Sequence, residues 1–348
     1  MANPLNLEER QELLTHMAQY WGHHGAPSSI CTFGSPGVGK TLDNGMSFHR
    51  LAIYIGIKSH LTSIPAATGI PMGELAVMDV RTISQVVSVM HEVSRWNLER
   101  IRAGEMPWIA MVIDDLQYLA TGQFQAREQE MIQARAAEGK DPDSRGVYLS
   151  VTKDIGYMMN LVRDLSLHLI INSHARDRDE TLPRGTPMLP SRNMGQTFSG
   201  QIGTLLYAEK EVTTTVQAFA MPGGAAPEEP SKPFGWPGRY CAHHPSYICR
   251  DRLGAAPERG PMNLRELLIS AGHSVPRAPE MEWLDPAVES GAEALLAGAD
   301  YWSELRPKLL KFAADNGHKA GSAGSNWLLR DTIDRYRMRE AIATPTFY

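Results

Sequence analysis

One octapeptide constrains this chain more than any other feature: Gly34-Ser35-Pro36-Gly37-Val38-Gly39-Lys40-Thr41 fits the pattern GxxxxGK[ST] at every fixed position. Glycines let the backbone turn tightly, so that successive N–H groups face phosphate oxygens. Lys40 has the reach and charge to meet the β- and γ-phosphates of a nucleotide, and the Thr41 hydroxyl suits Mg²⁺. Before the loop, SSICTFG (28–34) is a short apolar, strand-compatible run. After it, 40–50 reads as a helix whose positive end adds to the attraction for an anion. The expectation is a site for ATP and Mg²⁺ on a strand–loop–helix unit, with residues 34–41 as the cradle.

The rest of the pattern suits such a unit. Candidate strands follow at 52–56, 73–80, 107–115, 167–175, 202–211 and 213–221, and most are separated by helical spacing. The clearest helix carries Val86, Val89, Met90, Val93 and Ile101 near one face. Strands alternating with helices predict an α/β fold with a mainly parallel sheet and right-handed crossovers. A helical segment (1–26) precedes the predicted core (27–275), and a helical region (276–348) follows it, with helices near 288–298, 301–316 and 325–342. Residues 139–146 read as a turn-rich break, 239–253 as a strand pair, and 262–272 as a helix. The prolines and charges of 176–200 predict a long surface loop, and the Pro/Gly-rich 222–238 a loop or insertion.

Composition narrows the setting. Apolar residues make up 43% of the chain, enough for a sizeable core, and a net charge of −5 argues against a wholly basic nucleic-acid coat. The cysteines Cys31, Cys241 and Cys249 are too few for a disulfide framework. The start has acidic residues where a secretory leader is basic, and no apolar stretch approaches the roughly 20 residues that span a bilayer. A soluble, cytoplasmic protein without a membrane partner is expected.

Two further stretches carry candidate chemistry. PWIAMVIDD (107–115) is an apolar run closed by two carboxylates, as for a strand buried on both faces. Asp114, at the end of a strand neighbouring the phosphate loop, is placed to hold Mg²⁺ with Thr41. Asp115 either polarises the attacking water or caps the next helix. LHLIINSHA (167–175) ends in Asn172, Ser173 and His174. In open α/β sheets ligands sit at the carboxyl ends of strands, so His174 first among the trio is a candidate γ-phosphate sensor. The alternative is that the trio only finishes the strand. Cys241, His243, His244 and Cys249 offer zinc-ligand types at an irregular spacing, and incidental polar residues are the preferred reading.

GSPGVGKT, WIAMVIDDL, LHLIINSHA and YICRDRLG together resemble the RecA-like ATPases of bacteriophages, over roughly 27–272. That resemblance implies a RecA-like P-loop NTPase core that hydrolyses ATP as a ring or filament. It further implies action on phage DNA, in single-strand binding, annealing or recombination. The alternative is an ATP-dependent motor, or a structural ATP-binding protein, working with other phage proteins. In Arg250-Asp251-Arg252 the resemblance makes Arg250 and Arg252 candidates for a finger reaching the ATP of the next subunit, against a solvated pair. Loops after the sensor strand face the DNA axis in RecA-like proteins, which makes Arg176, Arg178, Arg184 and Arg192 candidate DNA contacts. The catalytic glutamate usual in that family has no clear position here, since Glu74, Asp79 and Asp115 are imperfect substitutes.

Overall fold

The computed structural model describes residues 5–68, 70–137, 144–180, 183–210, 238–276, 286–297 and 302–318. At its centre is a sheet whose parallel strands are β1 (Ser29–Gly34), β2 (Ala52–Gly56), β3 (Ala76–Asp79), β4 (Ala110–Asp114), β5 (His168–Arg176) and β7 (Thr204–Lys210). The short β6 (Thr186–Pro187) pairs with the end of β5, while β8 (Gly238–Cys241) and β9 (Arg259–Pro261) add antiparallel pairs. Strand order is β3-β2-β4-β5-β1-β7-β8-β9. The fold is therefore mixed α/β with a mainly parallel sheet, as the alternation predicts.

Side-chain alternation sorts the inner strands onto two cores. Ile30, Tyr54, Val112 and Ile170 face one side, with α2 (Lys40–Phe48), α3 (Ser63–Thr68) and α8 (Leu264–Ser270). Buried residues of α9 (Pro286–Ala297) and α10 (Trp302–Asp315) belong to the same cluster. Cys31, Phe33, Ile53, Met111, Ile113, Leu169 and Ile171 face the other side. There they meet α1 (Leu7–Met17), α4 (Ile83–Arg102), α5 (Leu116–Ala137), α6 (Ser144–Leu161) and α7 (Arg192–Gln201). With both faces covered, the strands read as continuous apolar runs.

Local signals set the helix ends. Asn6 with Glu9, and Thr82 with Gln85, form reciprocal capping boxes at the starts of α1 and α4. The helix after the phosphate loop is fixed from below: buried Asp43 accepts from Tyr240 Oη at 2.6 Å and from Ser47 Oγ at 3.0 Å. That ties α2 to β8, so the loop at its N-terminus is mounted on a rigid element.

Several expectations need correction. The stretch 176–200 is not one loop, because it contains β6 and α7. Ser191 caps α7 by accepting from Met194 N at 3.2 Å, and Met194 and Phe198, one turn apart, are buried. The prolines and charges that suggest a loop lie mostly before that cap. Residues 239–253 do not form a strand pair: β8 pairs with β7 and with β9, and Tyr247 and Arg250 make only isolated bridges, to Gly185 and Leu205. Strand β3 is shorter than 73–80, since Met72–Glu74 is a 3-10 turn. α6 begins at Ser144, inside the predicted break. The strand predicted at 213–221, residues 222–237 of the predicted insertion and the helix predicted near 325–342 lie outside the described residues. Among the described residues, no helix is long and apolar enough to cross a membrane.

Candidate functional site

Residues 34–41 leave the carboxyl end of β1 and enter α2. Gly37 has φ 71° and Gly39 φ 106°, left-handed conformations that favour glycine. Gly34 answers a different need, close approach: a Cβ there would lie 2.0 Å from the Ala208 carbonyl oxygen of the neighbouring β7. Lys40 is buried, with Nζ donating to the carbonyls of Gly34 and Ser35, both at 3.0 Å. The loop therefore closes around its own lysine. Burial lowers the Lys40 pKa, and the neighbouring Asp115 and Asp114 act against that shift.

Thr41 Oγ1 donates to Asp114 Oδ2 at 2.5 Å. The strand carrying Asp114 does not neighbour β1, contrary to expectation, because β5 stands between β1 and β4. Chain order alone does not reveal an inserted strand. Its consequence is chemical: Asn172 of β5 spans the gap, its Nδ2 donating to Asp114 Oδ1 at 3.1 Å while its Oδ1 accepts from Thr32 Oγ1 at 2.7 Å. Thr32 and Asn172 are aligned in the β1–β5 register and both are fully buried. Asp114 is thus oriented through both carboxylate oxygens. Burial still raises its pKa, against the hydrogen bonds from Thr41 and Asn172 and the charge of Lys40.

Asp115 takes the capping role offered for it and also faces His174. Its Oδ1 accepts from Gln117 N at 2.9 Å, capping α5, while Oδ2 lies 3.1 Å from His174 Nε2. Burial, then the charge of Asp114, pushes its pKa up to about 7. His174 sits opposite Gly34 in the β1–β5 register, and burial, then Lys40, lowers its pKa. Its ring meets Tyr118 of α5 edge-on at 5.6 Å, and Tyr118 meets His60 at 4.7 Å. Ser173 instead donates to Met188 O at 3.3 Å.

The donor set fits a hard cation. A hydroxyl and a carboxylate converge, and two buried acids face one ammonium, an excess of negative charge that a divalent ion would offset. Thr41 and Asp114 are the residues that would hold Mg²⁺.

Other candidates lie apart. Arg250 donates to Ile202 O at 3.0 Å and also to Ser199 O. Its backbone bridges Leu205, near the amino end of β7 and at the opposite edge from the phosphate loop. Arg252, beside it, is exposed. Asp251 between them accepts from Leu253 N at 2.9 Å and Ala256 N at 2.7 Å, so the triplet forms a tight turn. Glu74 pairs with Arg50, and Asp79 accepts from Lys58 N at 3.1 Å. Of the candidate DNA contacts, Arg176 donates to Leu189 O at 2.6 Å and Arg192 pairs with Asp179 at 2.6 Å. Among the described residues no group of three or more His, Cys, Asp or Glu is arranged to hold a metal, so the four candidate zinc ligands do not converge.

Thr32, His60 and Tyr118 are absent from the sequence-based set. Thr32 is found only once the register with Asn172 is known. His60 and Tyr118 follow β2 and β4 at the same sheet edge, but isolated aromatic residues carry no spacing signal.

No protein-family model matches this chain, and no curated protein matches it either. Among solved structures, a KaiC-like protein from the hyperthermophilic archaeon Pyrococcus horikoshii is similar over 54% of this chain and 74% of its own. Identity is 12% and the TM-score 0.32, so the fold is read from the strands described above.

Proposed function

We propose that this chain binds Mg-ATP at residues 34–41 and hydrolyses it, as an oligomeric RecA-like P-loop ATPase acting on phage DNA. The observation that carries the reading is the bond of Thr41 to Asp114 at the mouth of a glycine-turned loop, with buried Lys40 at its centre. Loop amides cradle the phosphates, and Lys40 exchanges the Gly34 and Ser35 carbonyls for phosphate oxygens. Bound Mg²⁺ supplies charge neutralisation at the β- and γ-phosphates. Thr41 and Asp114 hold that ion, and Asn172 fixes the rotamer of Asp114.

His174, joined to Asp115 beside the loop, senses the γ-phosphate, and Asp115 serves as base for the attacking water. Arg252, exposed in its turn, is the better placed of the two arginines to reach a neighbouring subunit, because Arg250 is engaged by carbonyls of its own chain. A second reading, an ATP-dependent motor or structural ATP-binding protein in phage assembly, shares the same site.

Steady-state ATP turnover with and without single-stranded DNA tests the proposal. Lys40→Ala lowers turnover by about 100-fold or more, the scale of losing one preorganised charge contact. Unchanged turnover in that variant ends the site assignment. Stimulation by single-stranded DNA that declines with salt supports the DNA role. Turnover indifferent to DNA favours the motor.

A further inference from the structure

A cavity of about 530 Å³ opens beyond β7, lined in part by Arg184, His244, Tyr247, Cys249, Glu258 and Arg259. Its size falls within the roughly 300–1,000 Å³ of small-molecule pockets. None of these residues takes part in the phosphate-loop site.

The wall is aromatic and firmly backed. Tyr247 lies flat on Tyr207, ring centroids 3.8 Å apart at 11°, and meets Phe33 edge-on at 6.0 Å. Phe33 and Tyr207 are buried and aligned in the β1–β7 register, one residue before Gly34 and Ala208. A planar aromatic surface held this way suits stacking by another flat ring. The polar lining has two signs. Glu258 contributes a carboxylate to the lining, with Oε2 turned away from solvent and without a hydrogen-bond partner. Arg184 and Arg259 are exposed, and Arg259 Nε donates to Glu209 at 2.8 Å.

The cavity wall is also tied to the phosphate-loop site. Gly185 N donates to Ser246 O at 2.7 Å, Ile248 N donates to Gly185 O at 2.8 Å, and Tyr247 Oη donates to Asp177 at 2.5 Å. A Cβ on Gly185 would lie 2.4 Å from the Tyr247 ring, so the two segments are pressed together. The same stretch returns to β5 through β6, where Met188 N donates to His174 O at 2.8 Å. A short run of backbone therefore joins the wall to the histidine that faces Asp115.

We propose that this cavity is a second ligand site, separate from the phosphate loop, for an amino-bearing nucleobase with an adjoining phosphate. The base stacks on Tyr247 and its amino group donates to Glu258. The phosphate is met by Arg184, with Arg259 beside it. A free nucleotide and a single-stranded nucleic acid share this chemistry. Binding at this site does not rest on the ATPase reading.

Binding is measured by calorimetry with AMP and, separately, a short oligoadenylate, on full-length Lys40→Ala protein so that the phosphate loop does not contribute. Saturable binding of either probe is expected. Adding Tyr247→Leu weakens it by about 10-fold or more, the scale of one lost base–aromatic stack. Tyr247→Phe keeps the ring and stays within about threefold. Arg184→Ala, an exposed change that spares the fold, weakens binding and flattens its salt dependence. Binding of the oligoadenylate alone assigns the site to a strand, and binding of AMP as well assigns it to nucleotides generally; both support the site. No binding of either probe to Lys40→Ala, or affinities unmoved by Tyr247→Leu and Arg184→Ala together, overturns it. Loss of ATP turnover in Lys40→Ala with adenylate binding retained separates this site from the phosphate loop.

Discussion

Asn172 shows how much one uncharged side chain decides at this site. It receives a hydrogen bond from Thr32 and gives one to Asp114, so it fixes which way the carboxylate presents its second oxygen to Thr41. Removing it leaves the Thr32 hydroxyl buried without that acceptor, at a stability cost of about 1–3 kcal/mol. If Asn172 only filled space, the loss would end there. As a positioning residue it should also act on the cation: in Asn172→Ala, half-saturating Mg²⁺ for ATP turnover rises about 10-fold or more, the usual cost of losing a partner behind a metal ligand. The apparent KM for ATP at saturating Mg²⁺ moves far less. A Mg²⁺ titration that overlays the parent chain, with only the melting point lowered, reduces Asn172 to packing. The sequence places Asn172 at a strand end but does not say which strand lies beside it, and its role depends on β5 standing between β1 and β4.

At the scale of elements, close approach explains what periodicity does not. Gly122 lies inside α5, where glycine costs about 1 kcal/mol relative to alanine, so propensity alone predicts that Gly122→Ala stabilises the helix. The structure reverses the sign: a Cβ there would lie 2.1 Å from the Arg81 carbonyl oxygen, on the turn that leads into α4. Gly122→Ala should destabilise the fold by about 1–3 kcal/mol in chemical denaturation, as overpacking does. A stabilised variant shows that α5 does not press on that turn. The strands carrying the phosphate loop and Asp114 are apolar runs buried on both faces, and they read directly from the sequence. α7 did not, because its signal is only Ser191 as cap and two apolar residues one turn apart, overshadowed by the prolines before it. The partner of β8 was equally hidden, since Arg259–Pro261 has too few residues to show a period.

For the whole molecule, a histidine cluster at the amino ends of β1 and β5 joins parts of the chain that are distant in sequence. His168 opens β5 and its Nδ1 accepts from Ser28 N at 3.0 Å. His273, just after α8, contacts Ser28 Oγ at 2.7 Å and Trp21 O at 3.1 Å, and its ring lies 4.7 Å from His168. His24 lies 4.7 Å from His273 on another side, and the tilted ring of His23 lies 4.4 Å from that of His24. The groups around the central pair are thus histidines, a hydroxyl and backbone, with no carboxylate among the partners described to favour a charged ring. Burial, then His273, lowers the His168 pKa to about 3, and burial, then His24, lowers that of His273 to about 4. The ordinary value is 6.5, so between about 6.5 and 4 the unfolded chain takes up protons that the folded chain refuses. Stability from this cluster is therefore complete above about pH 7 and is lost as pH falls through that window, at up to about 1.4 kcal/mol per pH unit for each ring. Because the raised pKa values of Asp114 and Asp115 act in the opposite sense over the same range, the cluster is read from the difference between parent and variant unfolding midpoints, which is constant above neutrality and shrinks below it. His168→Asn keeps an acceptor for Ser28 N but cannot take up the proton, so its midpoint starts lower and falls less steeply. Parallel slopes for parent and variant between pH 6.5 and 4 would remove His168 from the acid sensitivity, and the clasp would then hold the base of the sheet through packing alone.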